Sequence, residues 1–167
     1  MEKHKARFVA RGFSQKEGVD YDETFAPVDQ HTSIRTIIAI ASAMGWKLHQ
    51  MDVKAAFLNG VIEKEVYIEQ PDGFVVHKKE SHVCTLKKAL YGPKQAPRGW
   101  YGQIDIYLVS LGFTKSDADP NLYYKNVKGE PLILVLYVDD LFLIGNEKLI
   151  DGVRRSLPLS LKLKILD

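Results

Sequence analysis

Apolar and polar positions along the chain change period several times, and each change marks an element. From Lys3 to Phe13 the pattern alternates. Lys3, Lys5, Arg7 and Arg11 share one period-two face, and Ala6, Phe8 and Ala10 share the other. This predicts a strand with a basic face and a packing face, although an ordinary solvated edge strand carries the same pattern. Residues 14–32 read as a loop containing Gly18, Asp20, Asp22 and Pro27. Thr32 then suits a helix N-cap, and Ile34, Ile37, Ile38, Ala41 and Met44 recur at helical spacing. Gly45 stands where a left-handed C′ residue belongs. Trp46 to Val53 reads as a strand, with Asp52 at its apolar end. Asn59-Gly60 is a turn signal, and Val66 to Ile68 predicts a short strand before Gln70-Pro71-Asp72-Gly73.

The second half begins with a Gly/Pro-rich loop, YGPKQAP (91–97), that runs into a helix with Pro97 at its first position. Trp100, Ile104, Tyr107, Leu108 and Leu111 form the apolar face, and Gly112 ends it. Gly99 and Gly102 each weaken that helix by about 1 kcal/mol relative to Ala. Leu122-Tyr123-Tyr124 and Pro131 to Val138 predict paired strands around the turn Lys128-Gly129. Leu141-Phe142-Leu143-Ile144 continues as a further arm. Asn146 suits the cap of a helix over roughly 147–157 that Pro158 terminates. The tail LSLKLKILD alternates like a strand. There is no internal repeat and no low-complexity linker. Strands and helices in this order predict an α+β fold.

Composition narrows the class. The 167 residues are 46% hydrophobic and 26% charged, which excludes disordered and collagen-like chains. A formal net charge of +2 excludes a histone-like polycation, but not a local basic surface. The single cysteine, Cys84, excludes an internal disulfide. The start MEKHKARFVARG has no apolar core, and the apolar run Leu132 to Val138 is far short of a membrane span. The expectation is a soluble protein of a reducing compartment with one core.

Chemistry concentrates in two places. Asp139 and Asp140 interrupt an apolar run, which predicts a tight hairpin with both aspartates at the bend. Asp-Asp is also a serviceable turn dipeptide. Two carboxylates about 5 Å apart nonetheless repel by roughly 3 kcal/mol at an effective dielectric near 20. A third carboxylate, Asp52, ends another central-strand candidate. If those strands are neighbours, three hard oxygen donors meet at one edge of the sheet and select Mg²⁺ or Mn²⁺. Two such ions about 3.5–4 Å apart serve in-line phosphoryl transfer, and a basic strand at Lys3–Arg11 would supply cations for phosphates. His77, His82 and Cys84 invite a zinc reading, but no fourth ligand stands at recognisable spacing.

The segments KARFVARGFSQ (5–15), VDYDETFAPV (19–28), MDVKAAFLNG (51–60), VYIEQPDGF (66–74), ALYGPKQAPRGWY (89–101), SDADPNLYY (116–124) and LYVDDL (136–141) occur in one order. In that order they resemble the reverse transcriptase domain of Ty1/copia-type LTR retrotransposons. The resemblance implies an RNA-directed DNA polymerase fold. That fold is a palm made of a ferredoxin-like antiparallel sheet with helices on one face, plus partial fingers. It implies catalytic Asp52, Asp139 and Asp140, which hold two Mg²⁺ ions (or Mn²⁺) together with the Val53 backbone. It implies nucleotide and template contacts by Phe57, Lys5, Arg7, Arg11, Gly92, Lys94, Gln95 and Tyr137, with Phe57 as an aromatic gate against a 2′-OH. The implied partners are an RNA or DNA template-primer, dNTPs, and the RNase H and integrase parts of a polyprotein, with no membrane. The implied location is intracellular, in a cytoplasmic virus-like particle. Pro93, Gly99 and Gln30 depart from the family's usual Leu, Ala and Arg. The match extends over residues 1–146. Residues 147–167 read as a divergent end of the palm, truncated before the thumb. An inactive remnant with weak nucleic-acid binding and another two-metal enzyme, such as a nuclease, are the competing readings.

Overall fold

A computed structural model describes residues 4, 6–28, 30–62, 64–156 and 163–166, with the backbone alone for 156 and 163–166. Helix α1 (His31–Met44) leads into strand β1 (Lys47–Val53), and β2 (Tyr67–Glu69) and β3 (Val83–Thr85) follow. Helix α2 (Ala96–Ser110) precedes β4 (Thr114–Lys115), β5 (Leu122–Val127), β6 (Glu130–Tyr137) and β7 (Asp140–Gly145). Helix α3 (Glu147–Ser156) and β8 (Leu163–Leu166) complete the order. The chain divides into two compact units, Met1–Ala26 with Phe57–Gln103 and Pro27–Ala56 with Ile104–Asp167.

The second unit is built on a six-stranded antiparallel sheet in the order β4-β5-β6-β7-β1-β8. Its centre is β6, whose apolar run is buried on both faces. Leu132, Leu134 and Leu136 fill one side, and Val135 fills the other. Helices therefore cover both faces, where the family resemblance implied one. Ile34, Ile37 and Ala41 of α1 pack in one cluster with Val135, Ile144 and Phe142. On the opposite face the Tyr123 hydroxyl donates to Asp105 of α2 at 2.7 Å, and Arg154 of α3 stands 3.4 Å from His49 of β1. Taken alone, β1-α2-β6-β7-α3-β8 with spatial order β6-β7-β1-β8 is the split β-α-β arrangement of ferredoxin-like folds. Helix α1 is the addition.

Local signals account for most boundaries here. Gly45 closes α1 in the left-handed region (φ 64°), with its N–H on Ala41 and Ser42 carbonyls. The start differs from expectation. Gln30 is the N-cap, without a side-chain cap bond, and Thr32 lies inside the first turn. Ile38 and Met44, expected in the buried stripe, are 46% and 61% exposed. The helix meets the sheet along the narrower strip of Ile34, Ile37 and Ala41. Asn146 caps α3 by accepting the Lys148 N–H at 3.0 Å. The tail strand joins the sheet as β8 and sets Lys164 opposite Asp52 in the register. Pro158 lies outside the described residues.

The first unit holds the β2–β3 hairpin and the start of α2. Gln70 laces the hairpin loop: its Nε2 donates to the carbonyls of Lys79 (2.6 Å) and His82 (2.9 Å), and its Oε1 accepts the Val76 N–H (2.9 Å). The alternating N-terminal segment is not a strand across its described residues. Val9 makes one bridge to Tyr91, and the chain then coils through a 3₁₀ turn at Gly12–Ser14. The reason is a backbone-to-backbone contact: a Cβ on Gly12 would lie 1.9 Å from the Gly92 carbonyl oxygen. Glycine contact replaces ladder pairing at Gly12, and Lys3 and Lys5 of the expected basic face lie outside the described residues. Gly99 is explained similarly, since a Cβ there would lie 2.5 Å from the Val61 carbonyl oxygen. Pro97 occupies the second helical position of α2 instead of the first.

Candidate active site

Asp52 is the penultimate residue of β1. Asp140, the first residue of β7, is its register partner and is also opposite Tyr137 on β6. Directly opposed residues of antiparallel strands point to the same face, with Cβ atoms about 4.5–5.5 Å apart. Tyr137, Asp140 and Asp52 thus form a row across three strands. All three aspartates are half-buried, and Tyr137 is more exposed. Gln50, on the same face of β1 as Asp52, donates from Nε2 to Asp140 Oδ1 at 3.1 Å.

The bend is Val138-Asp139, and Asp140 belongs to the strand. The expectation of both aspartates at the bend is corrected to one. Val138 has φ 56°, a left-handed value that a β-branched residue rarely adopts. Such strain is of order 1–3 kcal/mol and persists where the surroundings over-determine it. One constraint is visible: the Asp139 carbonyl accepts the Val53 N–H at 2.8 Å, which ties the turn to the end of β1. The Val53 side chain is buried in the core, which leaves only its main chain for a ligand.

Among the described residues, no group of three or more His, Cys, Asp or Glu stands ready to hold a metal ion. The aspartates offer an opposed pair and a neighbour on a strained turn. His77, His82 and Cys84 are exposed on the hairpin. There, main-chain N–H groups of Glu80 and Lys78 hold the Glu80 carboxyl below its ordinary range, and His77 adds to the effect.

The other predicted site residues lie in the first unit. Phe57 meets the Tyr91 ring edge-on, with centroids 5.2 Å apart at 70°. The Arg7 guanidinium lies over the same Tyr91 ring at 5.7 Å. Arg11 instead pairs with Glu69 at 3.4 Å, and its side chain remains 71% exposed. Lys5 lies outside the described residues. Gly92 takes φ 109°, and a Cβ there would lie 2.0 Å from the Ala10 carbonyl oxygen. Lys94 Nζ bonds the Tyr21 hydroxyl at 3.1 Å and caps its ring at 5.0 Å. Gln95 accepts from Gln15 Nε2 at 3.0 Å, and the Lys94 N–H donates to Gln15 Oε1 at 2.8 Å. Sequence reasoning missed Gln50, Tyr91 and Gln15. Gln50 was findable, because it sits two residues before Asp52 on a strand. Tyr91 was only a flag before Gly92. Gln15 had no local signal, since its partners are about eighty residues away.

The family profile described as "Reverse transcriptase (RNA-dependent DNA polymerase)" matches residues 1–167. The chain belongs to that family. It is similar to the Retrovirus-related Pol polyprotein from transposon TNT 1-94 of Nicotiana tabacum, 46% identical over 98% of this chain and 12% of that protein. It is similar to the corresponding polyprotein from transposon RE2 of Arabidopsis thaliana, 43% identical over 88% of this chain and 10% of that protein. It is also similar to the Transposon Ty1-ER2 Gag-Pol polyprotein of Saccharomyces cerevisiae, 30% identical over 92% of this chain and 9% of that protein. No solved structure matches. The chain is a reverse transcriptase domain of the Ty1/copia type, by family an RNA-directed DNA polymerase, and it spans about a tenth of these relatives' length. In this reverse transcriptase domain no helix among the described residues is long and apolar enough to cross a membrane.

Proposed function

We propose that this reverse transcriptase domain adds dNTPs to the 3′-OH of a primer on an RNA or DNA template, with Asp52, Asp139 and Asp140 holding two Mg²⁺ or Mn²⁺ ions. The observation that carries the proposal is the opposition of Asp52 and Asp140 across β1 and β7, with Asp139 on the adjoining strained turn. Two like charges facing each other destabilise a bare sheet, and a divalent cation turns the same pair into a binding site. The donor set fits the group, because all three side chains are carboxylates and hard oxygen donors suit Mg²⁺ and Mn²⁺. Bound there, such ions supply activation of the primer hydroxyl and neutralisation of charge on the departing pyrophosphate.

The chain's own residues do the positioning. Gln50 orients Asp140 through its hydrogen bond, and the Val53 N–H holds the Asp139 turn against β1. Tyr137 flanks Asp140 in the row and contacts the bound nucleic acid. The second unit corresponds to the palm, and the first unit carries fingers residues. In the first unit, Phe57, braced by Tyr91, excludes a ribose 2′-OH. Gly92, Lys94 and Gln95 contact the incoming nucleotide, and Lys5, Arg7 and Arg11 meet phosphate and template. The RNase H and integrase parts of a polyprotein are the covalent partners.

RNA-templated primer extension by the purified chain with Mg²⁺ tests the reading. Template-directed extension is expected. No extension together with no divalent-ion binding overturns it. The absence of a ready three-ligand cage among the described residues favours the competing reading, a non-catalytic nucleic-acid binder. That reading predicts salt-sensitive binding which Mg²⁺ and Asp139→Asn leave unchanged.

A further inference from the structure

Gln15 does more than brace a loop. A backbone N–H can only donate, so the 2.8 Å bond from the Lys94 N–H fixes the Gln15 oxygen as its acceptor. The Gln15 Nε2 then faces Gln95 as a donor, 3.0 Å from Gln95 Oε1. That bond settles the Gln95 amide in turn, because its oxygen is taken. The remaining group, Gln95 Nε2, is buried and has no hydrogen-bond partner among the described residues. Buried donors are normally satisfied, so an unsatisfied one calls for an explanation.

The surroundings sharpen the point. Gln95 lines a cavity of about 170 Å³ that Tyr21, Lys64 and Arg98 also line. The cations near it are engaged: Lys64 pairs with Asp22 at 2.7 Å, Arg98 pairs with Glu23, and Lys94 Nζ bonds the Tyr21 hydroxyl. Among the described residues, Gln95 Nε2 is the buried side-chain polar atom left without a partner.

We infer that Gln15 is a positioning residue that locks the Gln95 amide, so that the 91–97 loop offers its ligand a hydrogen-bond donor and receives an acceptor oxygen or ring nitrogen of a nucleotide. The inference rests on the reading that this loop meets the incoming nucleotide. The polarity is relayed from a backbone group that cannot reverse. Substitution at Gln15 therefore changes which end of the Gln95 amide faces the ligand, without touching Gln95 itself.

Side-chain amide NMR of the whole ¹⁵N-labelled chain, titrated with a dNTP and Mg²⁺, tests this; loss of the signal in Gln95→Ala assigns it. In the wild type the Gln95 NH₂ pair shifts as the dNTP saturates. Gln15→Glu keeps the acceptor for Lys94 but presents a carboxylate to Gln95. The Gln95 amide then turns round, its free-state resonances move, and the dNTP binds about tenfold more weakly. Gln15→Met, which is neutral and lacks both groups, also moves the resonances and weakens the dNTP several-fold. Circular dichroism confirms that both variants fold. A loss confined to Gln15→Glu marks charge repulsion and overturns the inference. Unchanged affinity and unchanged Gln95 resonances in both variants overturn it while leaving the nucleotide reading standing. A wild-type chain in which the dNTP moves no resonance of residues 91–97 sinks both together.

Discussion

Replacing Asp140 by Asn should make the metal-free domain more stable, not less. The register sets Asp140 opposite Asp52, with Cβ atoms about 5 Å apart. Two full charges at about 5 Å repel by roughly 3 kcal/mol at an effective dielectric near 20, and by about 1 kcal/mol in bulk water. Both carboxylates are half-buried, so a relief of about 1–2 kcal/mol is the expected range. Asn keeps an oxygen for the Gln50 Nε2 bond, so no hydrogen bond is lost from the pair. With a urea m-value of about 2 kcal/mol/M, the unfolding midpoint should rise by about 0.5–1 M. Added salt should shrink the gain, since it screens the repulsion. Mg²⁺ reverses the ranking of benefit. At ten times its dissociation constant it should stabilise the wild type by about 1.4 kcal/mol, and the variant by a small fraction of that. The assay is urea denaturation of both proteins with and without Mg²⁺. The reasoning is refuted if Asp140→Asn is destabilising in the absence of metal and Mg²⁺ stabilises both proteins equally.

Other consequences are simpler to check. Leu143, fully buried in the sheet, should cost about 2–5 kcal/mol when cut to Ala, read as a lowered urea midpoint at constant m-value. Gly99→Ala should destabilise by about 1–2 kcal/mol despite the better helix former, because the new methyl meets the Val61 carbonyl oxygen at 2.5 Å; a rise in melting temperature would contradict this. Glu80 has a lowered folded-state pKa, so its hold on the Lys78 N–H should be complete above the ordinary 4.5 and fade only as pH falls through the lower folded value. The Lys78 amide shift followed against pH should therefore show its midpoint below 4.5, and a midpoint at or above that value would count against the contact.

What could be read from the sequence was local, and what could not was mostly long-range. The β5–β6 turn at Lys128-Gly129, the Gly45 stop and the Asn146 cap each depend on residues within one turn, and all three stand as read. The β6–β7 hairpin was legible because an apolar run broken by two carboxylates has few other solutions. Its bend was misplaced by one residue, because strained Val138 takes a position that turn chemistry reserves for glycine. The basic N-terminal strand is absent across its described residues for a different reason. Alternation proposes a strand but supplies no partner for it, and the Gly12–Gly92 contact claimed that backbone first. Helix α1 shows the same limit: its periodicity gave a stripe, while the sheet beneath selected which part of the stripe to bury. For the candidate site, the three aspartates were legible by type. The row of Tyr137, Asp140 and Asp52 needed the register, and the relay from Lys94 through Gln15 to Gln95 needed the fold.

The central claim is that the aspartates of β1 and of the β6–β7 hairpin form a divalent-metal polymerase centre. Rapid-quench measurement of single-nucleotide incorporation on an RNA-templated DNA primer tests it most directly, with wild type beside Asp139→Asn at saturating Mg²⁺. Incorporation by the wild type and a loss of about a thousandfold or more in the variant are expected, since metal-borne charge stabilisation amounts to several kcal/mol. Equal rates in the two proteins would contradict it.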